Sequence, residues 1–163
     1  MKLVKFKNWQ NHSMKFKILP HIGIGPVKLG MTKEEVKESV GNKYYCASSE
    51  NIDYYFENSF QVEFENNKAD FIGISSNDSY IVTYEGKNVF DTKAEKLFAL
   101  ITENEKLNHE YNSDEYLFPD QIISLWEADS QYDNYESYSR EIWAQIGIGS
   151  SSYFEAVSRY RDA

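Results

Sequence analysis

Hydrophobic and polar positions alternate most cleanly over Ser59-Phe60-Gln61-Val62-Glu63-Phe64-Glu65, where Phe60, Val62 and Phe64 take every second place. A period of two marks a strand with one buried face. Asn66-Asn67-Lys68 supplies a turn, and Ala69 to Ser75 is predicted to return as the neighbouring strand. Asp53 to Phe56 and Tyr80 to Tyr84 are predicted strands too, and Glu85-Gly86-Lys87-Asn88 turns the chain again. The period changes at Thr32. Val36 and Val40 stand four residues apart, the spacing of a helix stripe, and Thr32 with Glu35 has the form of a capping box. A helix is predicted from Thr32 to about Val40, ended by Gly41. A second is predicted from Thr92 to about Asn104, with Leu97, Leu100 and Ile101 inward. Lys15-Phe16-Lys17-Ile18 reads as an edge strand guarded by its lysines.

These elements match in pairs. Thr32, Lys33, Glu35 and Val40 correspond to Thr92, Lys93, Glu95 and Leu100. Tyr54-x-Phe56 corresponds to Tyr116-x-Phe118, and Phe64-Glu65 to Trp126-Glu127, both 62 residues later. Ile72-Gly73-Ile74 corresponds to Ile146-Gly147-Ile148, 74 residues later. Four anchors in one order predict an internal repeat. The expected fold is α+β: two tandem repeats of a capped helix followed by antiparallel strands, with the helices packed on one side of the sheet. Residues 1–21 form an N-terminal extension or edge strand, 22–87 the first repeat and 88–163 the second, within a single domain. The 12 extra residues of the second repeat fall in about 128–141 as an inserted hairpin, and insertions in repeats go to loops and often to a binding face.

Composition narrows the function. The chain has 163 residues and a formal net charge of −9. That charge is uneven: residues 1–43 hold nine Lys against three Glu, whereas 110–141 hold nine acids against one Arg. An overall acidic chain repels phosphate, which argues against nucleic acid as a partner. A local acidic face steers a basic partner or simply solubilises the chain. The single cysteine, Cys46, permits no intrachain disulfide, which fits a reducing cytoplasm, and it reads as a small buried apolar residue. The start shows no secretory signal, and no apolar run reaches membrane-spanning length. Either Met1 or Met14 is a plausible start.

Catalytic patterns are scarce. His12, His21 and His109 are isolated in sequence, without metal-ligand spacing, and read as ordinary surface residues. Gly23-x-Gly25 lacks the third glycine of a dinucleotide loop, and there is no nucleophile elbow or phosphate loop. Asp129-Ser130-Gln131-Tyr132-Asp133 lacks the glycine and closing Glu of a calcium loop. The acids of 110–141 leave open a small hydrolase with a carboxylate pair, but the expectation is no enzyme, no cofactor and no metal. What remains is an acidic hairpin laced with tyrosine. Tyr offers large contact area at low entropic cost, and Asp and Glu pair with Lys or Arg. The same rings could equally pack across the hairpin.

Gly30-Met31-Thr32-x-x-Glu35-Val36 followed by a predicted antiparallel sheet resembles the repeat unit of beta-lactamase-inhibitor-protein-like folds. The small outer-membrane lipoproteins of the SmpA/OmlA type share that unit. The lipid-attachment cysteine of those lipoproteins and the paired cysteines of secreted inhibitors are missing. The lead segment from Ile22 to Thr32 is similar to that of small cytoplasmic bacterial immunity proteins encoded beside polymorphic or contact-dependent toxins. That resemblance implies a monomeric, cytoplasmic antitoxin that binds a cognate toxin domain, often a nuclease with a basic cleft, and needs neither nucleic acid nor membrane. The expected partner-binding residues are Glu127, Asp129, Tyr132, Asp133, Tyr135, Glu136 and Tyr138. The alternative is a structural or scaffold repeat module with no toxin partner.

Overall fold

The computed structural model describes residues 13–133 and 138–162, with the backbone alone over 129–133, 138–140 and 161–162. In chain order the elements are β1 (Met14–Leu19), β2 (Gly23–Ile24), β3 (Val27–Lys28), α1 (Lys33–Val40), β4 (Tyr45–Ser49), β5 (Ile52–Tyr55), β6 (Phe60–Glu65), β7 (Lys68–Ser75), β8 (Tyr80–Tyr84), β9 (Lys87–Asn88), α2 (Ala94–Thr102), β10 (Glu115–Phe118), β11 (Ile123–Asp133), β12 (Tyr138–Gly149) and α3 (Ser151–Asp162). Short 3-10 turns at Asn42–Tyr44 and Val89–Asp91 complete the set. The strands form two sheets, β3-β2-β1-β8-β9 and β10-β11-β12-β7-β6-β5-β4.

This corrects the expected fold. Strand outweighs helix, there are two sheets, and the helices do not share one side. Ile72 belongs to the core cluster, so its neighbour Phe71 points to the other face of the sheet. Tyr153 of α3 stacks on Phe71 at 4.7 Å, whereas α2 buries Ala94, Leu97, Phe98 and Ile101 in the core. The tandem repeat fails at most of its anchors. Thr32 does cap α1: its Oγ1 accepts from the Glu35 N–H, and its own N–H donates to Glu35 Oε1, both at 3.2 Å. Thr92 caps nothing in α2. The Thr92 hydroxyl donates to Asn88 O at 2.7 Å, and α2 begins two residues later with Lys93 at its cap and no side-chain cap bond. Tyr116 packs on the core, but Tyr54 lies outside it, between inward Asp53 and Tyr55. Phe64 is core, whereas Trp126 meets Phe71 on the opposite face, at 5.6 Å. The Ile-Gly-Ile pair lands in related places, with Ile72, Gly73 and Ile74 opposite Ile148, Gly147 and Ile146 where β7 meets β12, and Phe56 and Phe118 both reach the core.

β1 is also not an edge. It pairs antiparallel with β2 and parallel with β8, in the middle of its sheet. Its alternation is as predicted, with Phe16 and Ile18 buried and Lys15 and Lys17 exposed. Phe16 joins the two sheets, stacking on Tyr80 at 4.9 Å and meeting Phe60 edge-on at 5.9 Å. The Tyr80 hydroxyl donates to Ser75 O at 2.8 Å and lies 2.6 Å from Ser59 Oγ. Burial pushes its ionisation up to about 12. At the other end Tyr84 donates to Gln121, Gln121 Nε2 donates to Ile101 O, and Asn104 donates to Tyr84, so β8, α2 and the β10–β11 turn share one polar knot.

Candidate functional site

The strands β11 and β12 are far longer than their neighbours, and that difference builds the site. β10 pairs with β11 from Phe118↔Ile123 to Glu115↔Trp126. β7 pairs with β12 from Phe71↔Gly149 to Ser75↔Gln145. The β11–β12 ladder continues from Ala128↔Trp143 to Asp133↔Tyr138. Backbone bonds from Glu127 N to Asp114 O and from Ala128 N to Ser113 O extend the flank slightly. From Asp129↔Ile142 outward, no third strand pairs with this ribbon among the described residues. At roughly 3.4 Å per residue, Asp129 to Asp133 carries it about 15 Å past the sheet.

The ribbon changes phase where it leaves. Glu127 takes a left-handed φ of 50°. Before it the core residues of β11 are Ile123 and Leu125, and after it the inward residue is Ala128. On β12 the corresponding shift runs from Ile146 and Ile148 to Trp143. The effect anchors the ribbon's root: Trp143 is buried and donates its Nε1–H to Ala94 O at 2.9 Å, tying β12 to the start of α2. Tyr111 seals the other side, edge-on to Trp143 at 6.2 Å and to Phe98 at 5.6 Å, with its hydroxyl donating to Glu141 Oε2 at 3.3 Å. Burial, then the Glu141 charge, push that hydroxyl's ionisation up, so it stays a donor.

Of the residues expected to bind a partner, Glu127 is exposed at the bend where the ribbon starts. Asp129, Tyr132 and Asp133 lie on β11 and Tyr138 on β12, in ladder positions opposite Ile142, Ser139, Tyr138 and Asp133. Tyr135 and Glu136 lie outside the described residues, as does His12. Glu127, Asp129, Tyr132, Asp133 and Tyr138 therefore share one two-stranded element.

A cavity of 470 Å³ opens beside α2, between Phe98, Leu107 and Tyr111, with Glu95, Glu103 and Glu105 around it. A second of 640 Å³ lies on the other side of α2, lined by Lys87, Lys93 and Lys96. The Glu105 side chain is fully buried. It accepts from the N–H groups of Asp120 and Gln121, each at 3.0 Å, and from Gln121 Nε2 at 2.8 Å. His109 lies between it and Tyr116, with Nε2 3.6 Å from Glu105 Oε1 and Nδ1 2.6 Å from the Tyr116 hydroxyl. His109 is thus half-buried and engaged, not the ordinary surface histidine expected; the i,i+4 spacing of Glu105 and His109 was the one signal that could have shown it. The carboxylate–imidazole–phenol line fastens the loop after α2. Burial, then the charges of Glu105 and Glu110, hold the Tyr116 hydroxyl protonated, a donor and not a nucleophile.

Two further expectations change. Cys46 is exposed, not buried, because β4 is the edge of its sheet; its Sγ accepts from the Glu57 N–H at 3.2 Å. Asp53 was read only as strand, yet it is completely buried, taking a 2.5 Å bond from Ser48 Oγ on one oxygen. His21 is exposed as expected, 2.8 Å from Asp120 O. Among the described residues no three His, Cys, Asp or Glu side chains gather to hold a metal ion, and no helix is long and apolar enough to cross a membrane. Comparison with protein-family models, curated proteins and solved structures gave no match to this chain.

Proposed function

We propose that this chain is a protein-binding module that neutralises a toxin domain with a basic surface, in the manner of the bacterial immunity proteins its lead segment resembles. The observation that carries the reading is the ribbon: two strands that overrun both neighbours, in the segment where nine acids face one arginine. A bare two-stranded ribbon is at best marginally stable by itself, and this one is seated by Ile142 and Trp143, both buried at its root. Among the described residues no third strand covers its edges, and its negative charge suits a cationic partner, whose approach it accelerates. In this reading the protein acts as a monomer in the cytoplasm and performs no catalysis. Tyr132, Tyr135 and Tyr138 supply contact area, and Glu127, Asp129, Asp133 and Glu136 pair with lysine or arginine of the toxin.

The reading expects a toxin gene adjoining this one in its genome, and the test uses that gene's purified product, with binding measured by calorimetry at low and high salt. Reversing Asp129, Asp133 and Glu136 together to lysine is expected to weaken binding by about a hundredfold or more and to flatten its salt dependence. Unchanged affinity and salt slope would overturn the ribbon as the contact. No binding by the wild-type chain would overturn the toxin reading itself.

A further inference from the structure

We infer that the cavity beside α2 receives an arginine side chain of the basic partner, forming a second anchor next to the ribbon; this rests on the reading above. The two sides of α2 differ in charge balance, with Glu103 at the boundary they share. One cavity is lined by Lys87, Lys93 and Lys96 against Asp91 and Glu103, an excess of positive charge that disfavours a basic surface. The other carries Glu95 and Glu103, both exposed, with Glu105 deeper and Lys106 the one lysine in its lining, beside Phe98 and Tyr111. Glu105 at its base already takes three hydrogen bonds, so Glu95 and Glu103 are the carboxylates left to meet an incoming cation.

Shape and position agree with charge. At 470 Å³ the cavity holds a long side chain. Its aromatic wall favours a guanidinium, which is planar and weakly hydrated and lies well on a ring face. Leu107 at its lip is 72% exposed, one of four exposed large hydrophobic residues among those described. An isolated apolar side chain on a rim is ordinary, but beside a cavity it gives the partner's side-chain stem a surface to cover. The cavity also adjoins the ribbon, since Tyr111 lines it and bonds Glu141 at the ribbon's root. A partner gripped by the ribbon has this opening within reach.

The probe is N-acetyl-arginine amide, titrated against the full chain while the methyl resonances of Ala99, Thr102 and Leu107 are followed by NMR. Saturable shifts at these methyls in the millimolar range are expected. The Glu95→Gln/Glu103→Gln double variant, altered only on the exposed side of α2, is expected to bind about fivefold more weakly. N-acetyl-citrulline amide, the neutral isostere, is expected to give no saturable shift. Absence of saturation with the arginine probe, or equal shifts from citrulline, overturns the cavity assignment. The probe does not need the toxin, so the two readings fail separately. If the ribbon variant loses the toxin but the probe does not bind, only the cavity falls. If the toxin never binds and the probe does, the proposed function falls and the cation cavity stands.

Discussion

The two wings of the seven-stranded sheet start alike and end differently. β4–β7 and β10–β12 are both antiparallel meanders, each preceded by a helix, and they meet where Gly73 lies opposite Gly147. In the first wing the strands run four to eight residues and each is supported along most of its length. In the second, β10 has four residues while β11 and β12 have 11 and 12. The first wing closes on a core of Phe16, Phe56, Phe60 and Tyr80. The second uses Trp143 and Tyr111 to seat a root, then extends beyond it. Strand length that serves the core ends where the core ends, and the excess in the second wing is the part that the proposed function assigns to a partner.

The seam between the wings is the place to break this comparison most strongly. A Cβ on Gly147 would come within 2.3 Å of the Phe71 ring and 2.8 Å of Ile72 O. The ring is sandwiched by Tyr153 and Trp126, and the carbonyl is backbone, so neither yields cheaply. Gly147→Ala is expected to cost about 3 kcal/mol in urea denaturation. The ribbon charge-reversal variant, by contrast, should unfold within about 0.5 kcal/mol of wild type, because its changes lie beyond the last strand that either wing supports. Equal losses from both would mean that the ribbon is part of the folded core.

The helices that precede the wings offer a finer contrast. Thr32 and Glu35 satisfy each other's backbone N–H at the start of α1, so Thr32→Ala should cost about 1 kcal/mol and speed amide exchange in the first turn of α1 about fivefold. Thr92→Ala removes a bond to Asn88 O outside α2. It should leave exchange within α2 unchanged, although the two sites share Thr-Lys-x-Glu in sequence.

That pair also shows what the sequence could and could not tell. The Thr32 cap, the alternation through Phe60, Val62 and Phe64, and the Lys15–Ile18 strand all follow from neighbours within a few residues, and all are present. Whether β1 lies at an edge or in the centre depends on β8, more than 60 residues away, and alternation reads the same in both places. The repeat failed because matching letters did not mean matching faces: Phe64 and Trp126 lie on opposite sides of the sheet. α3 is an element the sequence pattern does not announce: its described side chains are at best half-buried, and Tyr153 stacks on Phe71. The change of offset between anchors, from 62 residues to 74, directed attention to the segment in which β11 and β12 run long. The Glu105–His109–Tyr116 line and the cavity beside it were not, because they join a loop to β10 across the fold.

The smallest expected effect tests how the first wing treats charge. Glu63 is half-buried on β6, and burial, followed by the charge of Asp70, raises its carboxyl above the ordinary value of 4.5. The folded chain therefore keeps the proton to higher pH than the unfolded chain does. The stability Glu63 contributes is complete below 4.5 and is lost as pH rises through the raised folded value, leaving a net penalty at neutral pH. Glu63→Gln, which cannot ionise, should melt slightly above wild type at pH 7, with the gap closing as pH falls below 4.5. Glu127 is exposed at the bend of the second wing, and Glu127→Gln should move the melting point less, as surface changes usually do. A lower melting point for Glu63→Gln at pH 7 would mean that the ionised carboxylate is held by favourable contacts on that face. The first wing would then tolerate buried charge, and the acidic ribbon would no longer mark a division of labour between the two.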